Sequence, residues 1–419
     1  MLTFIHTADI HLDSPLRNLP AYEGAPVDVI RGATRMAFDQ LVDSAVQRSV
    51  DLVLISGDLY DGDWQDYNTG LYFASRMARL REAGIPVCII TGNHDAASRM
   101  TRVLKLPDNV HLFPSDRPGT IVLEELGVAV HGQGFAAPAV RSNLAAQYPD
   151  ARPGYFNIGM LHTCATGREG HEPYAPCSLD DLRARGYQYW ALGHVHQREI
   201  LCEDPPVIFP GNIQGRHIRE TGPKGCMVVS VDGSGPPEMA FLRLDRIRWE
   251  RVEVDVEDAD DAYDAVSKSC AAALGCLSEN GGRPMAARLV LSGRSAAHDA
   301  LSGDPEKWLN QLRLDLFDAG GGSLWLESVE MRTLLPADRE GIPDGPVGEL
   351  LEIAGQAAAD PTLAAEMAAV ISDLFKKVPK PVRDALELPG LDTPESLSEL
   401  AAEVRPLLLR RLIGRGGDG

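Results

Sequence analysis

Residues 52–61 read LVLISGDLYD, a short apolar run followed by Gly57, Asp58 and Asp61. A run of this length and composition, bounded by a glycine, predicts a buried β-strand. Gly57 lets the chain turn sharply where the strand ends, so that Asp58 follows at its carboxyl end. Open α/β sheets bind their ligands at that edge. The stretch therefore predicts an α/β fold with a polar crevice at the carboxyl edge of its sheet.

The same arrangement, a strand followed directly by polar residues, occurs at four further places before residue 200. These are Asp9 and His11 after 2–7, Asn93, His94 and Asp95 after 86–91, His162 after 155–161, and His194 and His196 after 188–192. Each motif alone has a plain explanation as a turn, a helix N-cap or a surface histidine. Five in succession predict one shared site. The oxygen and nitrogen ligands are too many for one tetrahedral zinc ion and suit two ions of the manganese or iron type.

The remaining sequence divides into regions by its periodicity. Strands and helices alternate over 1–245, with helices near 27–49 and 68–82, which predicts a layered α/β domain. Strict alternation begins at Trp249 and opens a smaller α+β unit over 246–335. The stretch 336–346, rich in proline, glycine and acidic residues, indicates a linker, and a helical segment is predicted after it over 347–415.

The overall composition is that of an ordinary soluble globular protein, with 44% hydrophobic and 24% charged residues among 419. Forty Lys and Arg stand against 60 Asp and Glu, a formal charge of −20. This charge argues against a protein that coats nucleic acid with its whole surface, but it leaves room for a local basic groove or for metal ions that supply positive charge. There is no apolar run of membrane-helix length, and Asp9 comes too early for a signal peptide, so we expect a cytoplasmic protein that binds no membrane. Seven cysteines without a C-x-x-C pair predict neither disulfides nor a structural zinc site.

The motifs D-x-H, G-D-x-x-D, G-N-H-D, a single H and G-H-x-H occur in that order over residues 9–196. In this the sequence resembles the calcineurin-like metallophosphoesterases, which implies an αββα sandwich. The resemblance implies one metal on Asp9, His11 and His196, a second on Asn93, His162 and His194, and Asp58 bridging the two. It implies His94 as the general acid or phosphate contact, and Asp95 is expected to orient it. Manganese is the first choice of metal, with iron or zinc as alternatives.

Within that superfamily the sequence is most similar to the SbcD/YhaO branch of DNA repair exonucleases. The residues that carry this similarity are HTADIHLDSPL at 6–16, YAPCSL at 174–179, YWALGHVH at 189–196, and the stretch from PGN at 210–212 to KGC at 224–226. The α+β unit stands where that branch has a DNA-capping domain. Some relatives place a histidine three positions after the bridging aspartate, where this chain has Asp61, so the role of that histidine does not transfer.

Several further residues could contact a phosphodiester substrate. They are Arg17, Arg216, His217, His171 and Tyr174, for each of which solvated surface is the alternative. In the last helix, leucines and a valine recur at helical spacing from Leu397 to Leu412. That stripe packs either on its own chain or on a partner.

The resulting hypothesis is a two-metal phosphodiesterase of DNA. The resemblance implies 3′-to-5′ exonuclease and single-strand endonuclease activity, an SbcC-like or YhaN-like coiled-coil ATPase as partner, and a homodimer. Two rivals remain. One is a metallophosphatase or phosphodiesterase of small nucleotides or phosphoproteins, which the acidic charge favours. The other is a non-catalytic assembly subunit, which intact ligand motifs disfavour.

Overall fold

The computed structural model describes residues 1–14, 27–61, 67–97, 105–165, 174–233, 235–336 and 377. Numbered along the chain, its strands are β1 (Leu2–Thr7), β2 (Leu52–Ser56), β3 (Val87–Ile90), β4 (Val110–Leu112), β5 (Gly119–Leu123), β6 (Val128–Gln133), β7 (Phe156–His162), β8 (Tyr189–Gly193), β9 (Glu199–Glu203), β10 (Pro206–Phe209), β11 (Gly225–Val231), β12 (Glu238–Arg243), β13 (Arg248–Asp255), β14 (Met285–Arg294) and β15 (Leu324–Leu334). Its α-helices are α1 (Val27–Gln47), α2 (Tyr67–Glu82), α3 (Leu179–Arg183), α4 (Ala262–Glu279), α5 (His298–Gly303) and α6 (Pro305–Ala319).

The first sheet has six strands in the order β12-β11-β1-β2-β3-β4. Strands β1 to β4 run parallel, and β11 joins β1 in antiparallel fashion. Successive side chains of a strand point to opposite faces, and in β1 both faces are covered: Phe4 packs towards the second sheet and Ile5 towards the helices. Burial on both faces explains why these strands read as continuous apolar runs.

The second sheet also has six strands, in the order β5-β6-β7-β8-β10-β9. It packs face to face on the first sheet through a shared apolar core that includes Leu54, Ile90, Val130 and Met160. Strands β6, β7 and β8 are parallel, so their carboxyl ends meet at one edge. The central parallel strands of both sheets thus bring their carboxyl ends to the site described below.

Helices cover the outer face of the first sheet. Phe38 of α1 and Phe73 of α2 stack with ring centroids 5.8 Å apart and pack on Val53 and Ile55 of β2. The outer face of the second sheet is covered by the short helix α3 together with irregular chain that includes Tyr148, which packs against Trp190. The predicted layered sandwich is confirmed, with a thinner outer layer on the second sheet than on the first.

The chain from β13 onward forms a three-stranded parallel sheet in the order β13-β14-β15, with α4 and α6 packed on one face. It belongs to the same compact unit, Met1–Leu334, as the two larger sheets. Trp249 and Trp325 of this sheet contact Ile30 and Ala33 of α1. The boundaries 1–245 and 246–335 stay predictions, and the predicted helical segment 347–415 lies outside the described residues, apart from Lys377.

Within the described residues, none of the helices combines the length and the apolar character that crossing a bilayer demands.

Candidate metal centre

The loops that follow β1 and β2 are held together by backbone hydrogen bonds. The amide of Asp9 donates to the Gly57 carbonyl, and the amide of His11 donates to the Asp58 carbonyl, each at 3.0 Å. Asp9, His11 and Asp58 all have positive φ, at 51°, 46° and 50°. Residues other than glycine rarely adopt this left-handed conformation, and where they do the strain often marks a functional site.

Asp58 lies at the centre of the crevice with 1% of its surface exposed. Its Oδ1 accepts the His94 amide at 2.9 Å, and its Oδ2 is 3.5 Å from His162 Nε2 and 3.8 Å from His11 Nε2. A Cβ atom at Gly92 would lie 2.2 Å from Asp58 Oδ1, so only glycine allows this approach. Asp58 Oδ2 therefore lies within 4 Å of a predicted ligand of each of the two ions, where a ligand shared by both ions is expected.

On one side of Asp58, the ligand atoms of Asp9, His11 and His196 lie within 4.8 Å of one another. The Nε2 atoms of His11 and His196 are 3.1 Å apart. Both carboxylate oxygens of Asp9, which is fully buried, accept the His194 amide at 3.0 Å. Asp9 is thereby held in the crevice by the loop that follows β8.

On the other side, the atoms of Asp9, Asp58 and His162 form a second group within 4.8 Å. His162 Nδ1 donates to the Ser56 carbonyl at 3.0 Å, and its Nε2 is 2.9 Å from Asn93 Oδ1. The ring of His194 stands 5.2 Å from that of His162. A third group, His11, Asp58 and His94, overlaps the first two. The seven predicted ligands thus come together, and their assignment to individual ions stays a prediction.

These residues fit divalent cations. An ion with bonds of about 2.1 Å places neighbouring ligand atoms about 3 Å apart, close to the 3.1 Å between His11 and His196 and the 2.9 Å between His162 and Asn93. Burial opposes protonation of His162, but the charge of Asp58 outweighs it and raises the pKa of His162 to about 9. Buried carboxylates need a compensating positive charge, and the described side chains that pair with Asp58 in this way are the imidazoles of His11 and His162.

His94 lies at the rim, with 41% of its side chain exposed. Its Nδ1 is 2.8 Å from Asp61 Oδ1, and this hydrogen bond raises the pKa of His94. Ser14 Oγ donates to the other oxygen of Asp61 at 2.6 Å. The carboxylate that orients His94 is therefore Asp61, at the position where the sequence departs from some relatives.

Asp95 has a different place from the one expected for it. Its carboxylate is buried and accepts the backbone amides of Leu59, Tyr60 and Gly92 at 3.1, 2.8 and 3.0 Å. It therefore ties the loop after β2 to the loop after β3. The expectation that Asp95 orients His94 is corrected, because both of its oxygens are engaged by backbone amides.

The loop after β10 supplies side chains that contact His196 and Asp61. Arg216, 14% exposed, places one guanidinium nitrogen 3.0 Å from Glu220 Oε1 and another 3.8 Å from Asp61 Oδ2. Glu220 Oε1 is 2.7 Å from His196 Nδ1. Glu220 is not among the residues predicted from the sequence, because its loop has no periodicity and it stands 24 residues after His196, where no motif marks it.

The remaining candidate substrate contacts lie at different places relative to the predicted ligands. The ring of Tyr174 lies 5.5 Å from that of His194, beside the predicted ligands. His217 is 53% exposed, with Nε2 3.6 Å from Glu220 Oε1. Arg17 and His171 lie outside the described residues. Their substrate contacts stay predictions.

The same loop is anchored on the α+β unit. Gln214 Nε2 donates to the Ile247 carbonyl at 2.6 Å, and Trp249 Nε1 donates to the Gly215 carbonyl at 3.0 Å. A Cβ atom at Gly215 would lie 2.9 Å from the Trp249 ring. The loop that carries Arg216 and Glu220 is thus fastened at its other side to strand β13.

Comparison with known families gives two matches that together cover most of the described chain. Residues 2–198 match the model of the calcineurin-like phosphoesterases, and residues 249–334 match that of the middle domain of metallophosphoesterase YhaO. The chain is 38% identical over 306 residues to the uncharacterized metallophosphoesterase YhaO of Bacillus subtilis, a match that covers 70% of this chain and 72% of that protein.

Two more distant similarities accompany these matches. The DNA double-strand break repair protein Mre11 of Sulfurisphaera tokodaii is 26% identical over 248 residues, covering 55% of this chain and 60% of that protein. A solved dimetal phosphatase from Danio rerio aligns with a TM-score of 0.20 and 16% identity, over 32% of this chain and 43% of that one. The chain spans less than two thirds of both.

Proposed function

Because the chain belongs to the calcineurin-like metallophosphoesterases, a family of hydrolases that use divalent metals, we propose that it is a two-metal phosphodiesterase acting on DNA, as a 3′-to-5′ exonuclease and a single-strand endonuclease. One observation carries the proposal of a two-metal site: the buried carboxylate of Asp58 belongs both to the Asp9–Asp58–His162 group and to the His11–Asp58–His94 group. A carboxylate shared by two cations is the arrangement that in-line phosphoryl transfer uses.

The residues around the crevice have separate tasks in this proposal. Divalent cations bound there would polarise the phosphoryl group and offset its charge. His94, with Nδ1 hydrogen-bonded to Asp61, keeps Nε2 for the substrate and would donate a proton from it to the leaving oxygen. Its raised pKa favours the protonated form that this step needs. Arg216 adds a fixed positive charge beside the rim.

What supports DNA as the substrate is the similarity to Mre11, a protein named for DNA double-strand break repair. The rival substrate class is that of small phosphoesters, and the formal charge of −20 favours it because phosphate backbones are repelled by an acidic surface. The cations and Arg216 would have to outweigh this repulsion locally. Nuclease activity should therefore fall steeply as the metal concentration is lowered.

The decisive assay compares two substrates with one preparation. The purified chain is incubated with Mn²⁺ and end-labelled single- and double-stranded DNA, and in parallel with bis-p-nitrophenyl phosphate. An Asp58→Asn preparation controls for contaminating nucleases. We expect both substrates to be hydrolysed and the DNA to be shortened from its 3′ ends. Hydrolysis of the small ester without DNA cleavage would favour the rival substrate class, and hydrolysis of neither would contradict the proposed function.

We also propose a coiled-coil ATPase of the SbcC or YhaN type as partner and a homodimer as the working form, both on the sequence resemblance. The apolar stripe from Leu397 to Leu412, which lies outside the described residues, is the proposed docking segment. Deleting 347–419 should leave hydrolysis of the small ester intact and abolish stimulation by the ATPase. Retained stimulation would show that the partner binds elsewhere.

A further inference from the structure

We propose that Glu220 is a positioning residue that fixes His196 with Nε2 towards the Asp9–His11–His196 group, and so sets the affinity of one of the two cation sites. The proposal rests on the proposed function, because it requires that the crevice binds cations. It concerns a residue that touches none of the reacting atoms and acts through His196.

The short contact between Glu220 and His196 determines where the imidazole carries its proton. At 2.7 Å, His196 Nδ1 and Glu220 Oε1 must share a proton, because two lone pairs at this distance would repel each other. Both oxygens of Glu220 accept from N–H donors, so the group is a carboxylate, and Nδ1 lies closer to its Oε1, at 2.7 Å, than to the donor Arg216 Nη2, at 3.2 Å. The proton therefore resides on Nδ1, and Nε2 presents its lone pair to the crevice, 3.1 Å from His11 Nε2.

Glu220 itself is held rigidly. It is 5% exposed, its Oε2 accepts Asn212 Nδ2 at 2.9 Å and the Arg216 amide at 2.8 Å, and its Oε1 also accepts from the Arg216 guanidinium at 3.0 Å. A carboxylate with both oxygens engaged cannot rotate to follow the imidazole. Glu220 therefore fixes the orientation of His196, and not the reverse.

The histidines of the two ligand groups differ in the group that accepts their Nδ1–H. His162 donates Nδ1–H to a neutral backbone carbonyl, that of Ser56, whereas His196 donates to a carboxylate. A carboxylate partner makes an imidazole a stronger metal ligand, and removing such a partner typically lowers metal affinity about 10–100-fold. The loss of Glu220 should consequently weaken one cation site and leave the other nearly unchanged.

The test is Mn²⁺ binding to the full-length chain, measured by titration calorimetry and by the paramagnetic resonance signal that distinguishes a coupled pair of Mn²⁺ ions from a single ion. Glu220→Gln keeps the shape and removes the charge. We expect one of two binding steps to weaken about 10–100-fold and the signal to become that of a single ion at limiting Mn²⁺. Glu220→Asp, which keeps the charge but withdraws the carboxylate, should weaken the same step and serves if the glutamine variant does not fold.

Two controls separate positioning from a general effect on folding. Glu327 is also buried, at 3%, and is paired with Arg288 at 2.7 Å in the α+β unit, so Glu327→Gln matches the change in burial and charge without touching a ligand. It should leave both binding steps unchanged. In a His196→Ala background, Glu220→Gln should add no further loss, because the imidazole through which it acts is gone.

Different results of the Mn²⁺ titration would contradict different parts of the proposal. A wild-type chain that binds fewer than two Mn²⁺ ions contradicts the proposed two-metal site. A wild-type chain that binds two, together with Glu220 variants in which both steps are unchanged or both are weakened equally, overturns the role of Glu220 alone. An added loss in the His196→Ala background would also overturn it, since Glu220 would then act by another route.

Discussion

Replacing Asp61 tests the acid role of His94, because Asp61 holds the ring nitrogen opposite the one proposed to donate the proton. Asp61 Oδ1 lies 2.8 Å from His94 Nδ1. Asp61→Asn keeps an acceptor oxygen in that place, so the tautomer is retained and only the charge is lost. Charge-assisted hydrogen bonds contribute about 1.5–3 kcal/mol and neutral ones about 0.5–1.5 kcal/mol. The difference of about 1–1.5 kcal/mol corresponds to a roughly 10-fold fall in turnover.

Asp61→Ala should cost more, because it removes the acceptor and releases the ring to rotate or to exchange its tautomer. We expect a loss of about 10²-fold, approaching the range of about 10²–10⁴ for His94→Gln. The losses should be smaller on bis-p-nitrophenyl phosphate than on DNA, since p-nitrophenolate leaves without needing a proton. Asp61 raises the pKa of His94, and a general acid works in its protonated form, so the alkaline limb of kcat should move to lower pH in Asp61→Asn.

The assay is kcat on both esters as a function of pH for the wild type, the two Asp61 variants and a Ser14→Ala control. Ser14 donates to Asp61 Oδ2 at 2.6 Å, whereas His94 contacts Oδ1, so the loss of Ser14 should change kcat by less than either Asp61 variant. Equal losses on the two esters, with an alkaline limb that stays in place, would refute acid catalysis and indicate that the pair positions the phosphate.

Three further predictions address the metal centre and the core. Asp58→Asn should lose the shared cation ligand and nearly all activity, because a neutral amide bridges two cations poorly; elemental analysis showing two ions at wild-type occupancy would contradict the bridging assignment. Gly92→Ala should lower metal content in a folded chain, since the new Cβ would lie 2.2 Å from Asp58 Oδ1; circular dichroism and metal analysis together check this. His6 is fully buried between the Tyr189 hydroxyl and the Leu192 carbonyl, and burial lowers its pKa to about 3. Below the ordinary histidine pKa the unfolded chain therefore binds a proton that the folded chain does not, so stability falls as the pH falls. Between pH 7 and pH 5, urea unfolding should show the wild type losing about 2 kcal/mol more unfolding free energy than His6→Gln. Equal losses in the two proteins would contradict this.

The central strands could be predicted from the sequence because both of their faces are buried. The ends of β1 and β2 agree with the predicted runs Leu2–Thr7 and Leu52–Ser56. Strands β4, β5 and β9 were missed. Val110–Leu112 has only three residues, and Gly119–Leu123 and Glu199–Glu203 are only partly buried at the two edges of the second sheet, so none of them presents a buried apolar run. Such strands form because a neighbouring strand pairs with them, and this is information from tertiary structure.

The residues of the site also divide into those that the sequence predicts and those that it does not. Residues at strand ends could be predicted to meet, because parallel strands bring their carboxyl ends to one edge of the sheet. The partners of those residues could not. The contacts of Asp61 with His94 and of Glu220 with His196 cannot be predicted from the sequence, since they depend on how two irregular loops pack against the crevice. The spacing of residues along the sequence does not determine how those loops pack.

The attachment of the loop 211–220 to strand β13 limits how this protein can be recombined with its relatives. Trp249 and Gln214 connect the α+β unit to the loop that carries Arg216 and Glu220. A chimera that joins this phosphoesterase domain to the middle domain of another relative would replace Trp249 and leave its acceptor, the Gly215 carbonyl, behind. The smallest exchangeable module therefore comprises the α+β unit and this loop together, although some thirty residues separate Gly215 from Trp249 along the chain.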